Sequence, residues 1–177
     1  MTKEQLNRVQ TPFKEKYRLN PSTAQTKLAA RAVLGADITC TNKIGNHNVE
    51  TGMHPGVGGS LENICPATVF LDSLASCAGI VMGAVATHMG IEIRSGAVCV
   101  EGDLDLRGTL GVADNVEVGF KEIRMSIGID TGASKQEINT LLKMTEKYCV
   151  VYQTLAKPPK IHLELNNNMS KGDRQLG

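Results

Sequence analysis

From Val69 to Met89 the chain carries a single formal charge, Asp72. No other feature restricts the fold as much. Pro66 stands where a helix favours proline, at its first position, and Gly90 stands where helices stop. The spacing predicts a helix from Pro66 to Met89. Such a helix is apolar on most faces, so it is expected to be buried nearly all round. Its length would also serve for a membrane span. Asp72 argues against that, because a carboxylate near a bilayer centre costs ~2.5–3.5 kcal/mol. The stretch is also rich in Ala, Gly and Ser rather than Leu and Ile. A buried helix of a soluble protein is therefore the expectation, with no membrane partner. Gly79 and Gly83 form a small-residue pair that admits a second backbone closely. In a chain of 177 residues the simplest such partner is the same helix of a second subunit.

The sequence on either side reads as sheet. Residues 25–53 have a strand pattern, with Leu28, Ala30, Ala32 and Leu34 alternating and turns at Gly35-Ala36-Asp37 and Asn46-His47-Asn48. Met53 to Ser60 is a Gly-rich loop. It lacks the Lys-Ser/Thr of a phosphate cradle, so it serves as a connection. Residues 91–107 and 117–130 alternate as two further strands, the second with Ile123, Met125, Ile127 and Ile129 inward. Ser134 and Glu137 make a capping box. It opens a helix whose Ile138, Leu141, Leu142, Thr145 and Cys149 share a face. Pro158-Pro159 ends that helix, and Lys160 to Leu165 alternates as a last strand. The order predicts an α+β fold built on antiparallel strands. Residues 1–20 are an extension whose Leu6, Val9, Phe13 and Tyr17 fall at helical spacing, interrupted by Pro12. Residues 21–165 form the domain, and 166–177 a polar, frayed tail.

Charge and composition remove several functions. A net charge of +1 offers no electrostatic case for nucleic acid or acidic lipid. Aromatic content of 3% without Trp leaves no stacking platform for single strands. The cysteines at 40, 65, 77, 99 and 149 are odd in number and widely spaced, with no CxxC or zinc-finger spacing. A secreted disulfide scaffold, a metal centre and a bound cofactor are not expected. The polar N-terminus is no signal peptide, and a cytoplasmic location is expected.

What remains is thiol chemistry. Cys77 sits mid-helix among small neighbours, which lets a substrate approach its sulfur. Cys149 sits near the end of the second long helix. Periodicity alone assigns both to the core, as small apolar residues. Reactivity would need a thiolate, and so a nearby cation or hydrogen-bond donor. Arg31, before the Gly-rich loop, is one candidate. Cys40 reads as a strand residue, Cys65 as a residue preceding the helix, and Cys99 as part of a polar strand face. His54 in the loop reads as solvated.

The run Cys65-Pro66-Ala67-Thr68-Val69-Phe70-Leu71-Asp72-Ser73-Leu74-Ala75-Ser76-Cys77-Ala78-Gly79 resembles the central helix of the OsmC/Ohr family. There too a Pro opens the helix and the reactive Cys follows eleven residues later. His54-Pro55-Gly56-Val57-Gly58-Gly59 is similar to the family's Gly-rich approach, and Thr145 to Tyr152 to its second cysteine segment. The resemblance spans residues 25–165. It implies an OsmC-like fold in an intertwined homodimer, with sheets around two long central helices. It also implies a thiol-dependent peroxidase acting on a small hydroperoxide. Cys77 would be peroxidatic and Cys149 resolving, an Arg (Arg31 here) would sit over the peroxide, and a dithiol would serve as reductant. The chain departs from the pattern at Ala67, where the family places a Glu. That departure favours the alternative: a non-catalytic redox sensor or small-ligand-binding protein.

Overall fold

The computed structural model describes residues 1–165. The apolar helix is present with the expected limits, as α2 (Pro66–Met89), and Gly90 follows at φ +74. Its burial differs from the expectation. Only Leu74, Ala78, Met82 and Ala86, one stripe at four-residue steps, are buried within this chain. Ile80 is 74% exposed, and a side chain added at Gly83 would meet open space. Among the described residues α2 is also the one helix long and apolar enough to cross a membrane. Its buried stripe packs within this chain, where Met82 and Ala86 join Leu141 in the core.

Ahead of α2 come the helix α1 (Lys3–Leu19) and a three-stranded sheet of β1 (Ala32–Leu34), β2 (Thr39–Ile44) and β3 (His47–Gly52). After it come β4 (Ile93–Asp103), a short α3 (Leu106–Thr109), β5 (Glu122–Thr131), α4 (Lys135–Tyr148) and α5 (Val150–Ala156). α1 runs unbroken through Pro12, contrary to the expected interruption. Arg8, whose carbonyl loses the proline's missing N–H, is exposed, so water can serve it. A Thr2–Gln5 capping box holds the start of this helix.

The first expected strand is cut short. β1 pairs with β2 in the register Ala32↔Asn42 and Leu34↔Cys40. In that register residue 29 would face Gly45, where the chain already turns, so 25–29 have no partner in β2. The β1–β2 turn holds Asp37 and Ile38 at φ +54 and +61. For the β-branched Ile38 this left-handed region is strained. The expected strand at 160–165 is not formed either. Its alternation is real, but Ile161, Leu163 and Leu165 stay exposed and no ladder pairs them among the described residues. The predicted tail, 166–177, lies outside the described residues.

The chain divides into two units by contact. The first comprises Met1–Leu28, Ser73–Val100 and Met125–Pro158. Its core is Met82, Ala86 and Leu141, with Val98, Ile127 and Ile129 packed on it. The inward Ile127 and Ile129 of β5 are as the alternation predicted. The Ser134–Glu137 capping box opens α4 as expected. β4 and β5 run antiparallel, as the ion pairs Arg94–Asp130 and Arg124–Asp103 across them require. The second unit comprises Ala29–Asp72, Glu101–Arg124 and the stretch from Pro159. It carries the β1-β2-β3 sheet and α3. Phe70 and Phe120 stack there, with centroids 5.8 Å apart.

Candidate active site

The first unit brings Cys77 and Cys149 together. Cys77 lies on α2 between the buried Leu74 and Ala78 and is itself half-buried. Cys149 is 1% exposed. It sits at a break in the helical path: α4 ends at Tyr148, Cys149 is extended (φ −74, ψ 109), and α5 restarts at Val150. Its N–H still closes α4 by donating to the Thr145 carbonyl at 2.9 Å. Its sulfur opens α5 by accepting the Tyr152 N–H at 3.5 Å. Cys149 thus serves as C-cap of one helix and N-cap of the next.

The break has an electrostatic consequence. The first N–H groups of a helix have no partner within it. At α5 those of Val150 and Val151 are directed at the Cys77 sulfur, and the Cys149 thiol is hydrogen-bonded to it as well. Burial pushes the Cys77 thiol up. The Val151 N–H, the Cys149 S–H and the Val150 N–H pull it down, and together they prevail, leaving it below the ordinary thiol value. Burial, together with the hydrogen bond and charge of Cys77, holds the Cys149 thiol up, against the opposing Tyr152 N–H. The pair therefore favours one charge distribution, a thiolate on Cys77 and a thiol on Cys149. A thiolate with a second thiol in contact can attack an electrophile and then be resolved to a disulfide. Both sulfurs are free thiols here.

Arg31 lies just before β1, exposed, in the other unit. The groups that pull the Cys77 thiol down are peptide N–H groups and Cys149, not a guanidinium. Reading side chains alone overlooked these donors. The adjacent β-branched Val150 and Val151, weak helix formers, were the available signal of a break. Cys99 is exposed on β4, while Cys40, Cys65 and His54 line a cavity in the second unit.

Comparisons with known proteins agree with this fold. No curated protein matches the chain. Among solved structures it resembles an OsmC-like protein from Mycoplasma pneumoniae, at 22% identity and a TM-score of 0.64, over 76% of this chain and 90% of that one. An organic hydroperoxide resistance protein from Elizabethkingia anophelis aligns at 15% identity and a TM-score of 0.60, over 76% and 92% of the two chains. One from Legionella pneumophila aligns at 17% and 0.59, over 75% and 93%. At these identities the likeness establishes the fold. The family model for OsmC-like proteins matches residues 58–164, which include α2, both cysteines and the helix break between α4 and α5. The chain belongs to the OsmC-like protein family.

Proposed function

We propose that this protein is a thiol-dependent peroxidase that reduces organic hydroperoxides or hydrogen peroxide through Cys77 and Cys149. The observation that carries the reading is the hydrogen-bonded pair itself, in which the more accessible sulfur is the acidic one and the buried sulfur keeps its proton. The Cys77 thiolate attacks the terminal peroxide oxygen. The O–O bond breaks, and the departing alkoxide takes a proton to leave as the alcohol. Cys77 is left as a sulfenic acid. The Cys149 sulfur then attacks the Cys77 sulfur, the S–OH bond breaks, and water leaves. A dithiol restores both thiols by exchange. The sum is one peroxide and one dithiol converted to an alcohol, water and a disulfide. The names of the Elizabethkingia and Legionella proteins support the substrate class. Unpaired cysteines suit a reducing, cytoplasmic setting.

The test is peroxide consumption by the purified protein with a dithiol in excess. Sustained turnover that requires both cysteines supports the reading. Ala67, with no carboxylate in the first turn of α2, favours the second reading, a non-catalytic sensor or ligand binder. Under that reading one equivalent of peroxide is consumed per chain and turnover then stops.

The proposal includes a homodimer. Ile80 and Gly83 leave an apolar face of α2 uncovered in one chain, and such a face marks an interaction surface. Light scattering at micromolar concentration should give twice the chain mass. A monomer whose unfolding is independent of concentration would remove the dimer.

A further inference from the structure

Between Lys135 and Ala156 one residue, Cys149, stands outside helical conformation. A change of backbone at that residue would fuse α4 and α5 into a single helix. We propose that Gln153 is a positioning residue for the Cys77–Cys149 pair: its side-chain amide occupies the Glu146 carbonyl, keeps the helical path broken at Cys149, and so leaves the Val150 N–H on the Cys77 sulfur. The proposal rests on the reading of Cys77 as the reacting thiol.

The hydrogen bonds across the break define what is exchanged. In a continuous α-helix each N–H donates to the carbonyl four residues earlier. The Cys149 N–H still does so, to Thr145 at 2.9 Å. The next three do not. In an unbroken helix the Val150 N–H would go to Glu146, the Val151 N–H to Lys147 and the Tyr152 N–H to Tyr148. Here the first two are directed at the Cys77 sulfur and the third at the Cys149 sulfur. The regular pattern resumes at Gln153, whose N–H donates to the Cys149 carbonyl at 2.9 Å. A helix break frees carbonyls as well as N–H groups. The first carbonyl freed here is taken: Gln153 Nε2 donates to the Glu146 carbonyl at 2.9 Å. The side chain thus fills the place that the Val150 N–H has in an unbroken helix.

Gln153 is itself held on both sides. Besides its N–H bond to Cys149, its carbonyl accepts the Lys157 N–H at 3.0 Å. The amide therefore reaches Glu146 from a fixed backbone. Its 2.9 Å contact is of ordinary length, whereas the Tyr152 contact that also holds the break is a 3.5 Å bond to sulfur. Glu146 is exposed, so water competes for its carbonyl. Water exchanges freely and does not exclude the Val150 N–H; an amide tethered to α5 does. Glutamine supplies this donor without altering the charge around the pair. A Glu has no N–H to donate when ionised, and a Lys would add a cation. The titratable group in contact with the Cys77 sulfur is Cys149.

The experiment places Gln153→Met in the full-length parent and in a Val150→Pro background. Methionine is close to glutamine in length and helix propensity and carries no N–H. Gln153 is half-buried, so the variant should fold, and Gln153→Leu serves as a second donor-free variant. The reading is the pH midpoint of Cys77 alkylation by iodoacetamide, mapped by mass spectrometry. In Gln153→Met it should move up, because the Val150 N–H returns to the Glu146 carbonyl and the thiolate loses a donor. With Pro at position 150 there is no N–H to return, and the residue before a proline stays extended. In that background Gln153→Met should leave the midpoint where Val150→Pro has set it. A residue that merely supports α5 would shift both backgrounds alike, since the effects of independent sites add. The proposal is overturned by an unmoved midpoint in both donor-free variants, or by an equal shift in the two backgrounds. Peroxide consumption is assayed on the same samples. The predicted shifts without peroxide turnover in the parent would sustain this proposal and remove the peroxidase reading. Turnover with an unmoved midpoint would do the reverse.

Discussion

Two pairs of cysteines occupy contrasting surroundings. Cys77 and Cys149 meet where one helix ends and another begins, among N–H groups that the break leaves without helical partners. Cys40 and Cys65 line a wall of aliphatic and aromatic side chains with no charged residue around it. In sequence the four look alike, each a single sulfur among mostly small or apolar neighbours. The difference teaches that a thiol's chemistry is set by the donors aimed at it, and those donors can be peptide groups that no side-chain motif announces.

The largest effects should break the contrast outright. Peroxide at one equivalent should oxidise Cys77 and Cys149 to an intrachain disulfide and leave Cys40 and Cys65 as thiols, as peptide mapping would show. Cys77→Ser should lower peroxide consumption by roughly a thousandfold or more, as expected for loss of a nucleophile. A variant that still turns over would move the chemistry to another cysteine. Cys149→Ser should complete a first turnover and then stall, with sulfenic acid trapped or overoxidised to sulfinic acid on the next equivalent.

A subtler change isolates the helix break. Proline is well tolerated at the first position of a helix, and Cys149 already has the extended backbone that a following proline requires. Val150→Pro should therefore remove one donor to Cys77 while keeping α5. The midpoint of Cys77 alkylation against pH, below the ~8.5 of a free thiol in the parent, should rise, because one of the hydrogen bonds that favour the thiolate is lost. No movement would show that the Val150 N–H does not reach the sulfur.

The same lowered value links pH to stability. A group with a depressed folded value contributes nothing below that value. Its contribution grows as pH rises toward the unfolded value of ~8.5 and is full above it. Chemical denaturation across that window should show an increment in the parent that Cys77→Ser lacks. Cys149, held up by burial, is protonated in both states below ~8.5 and leaves the increment there unchanged; it opposes stability only above that value, where the unfolded thiol ionises first. The smallest effect is expected from Arg31→Lys. Cys77 already has three donors, so peroxide turnover should slow by no more than a few-fold; a complete loss would make Arg31 indispensable.

The α+β order, the limits of α2, the Ser134–Glu137 cap and the inward face of β5 were all legible in the residues. Each follows from local rules: a helix period, a proline or glycine at an end, an alternation of two. Even the departures were local patterns left without a partner. The apolar alternation of Ile161, Leu163 and Leu165 is present, but a strand needs a neighbouring edge, and none is supplied to it among the described residues. Pro12 did not break α1, because its freed carbonyl faces water. The site was legible only as a list of thiols and an arginine. Cys77 and Cys149 stand 72 positions apart, so their contact is a property of tertiary packing. The donors at Val150 and Val151 depend on a backbone turn at one buried residue. The cavity wall is drawn from stretches as distant as Ile38 and Phe120. Sequence determines which elements form, because that physics is local. Which sulfur becomes the thiolate is decided by peptide dipoles that only the folded chain brings to it.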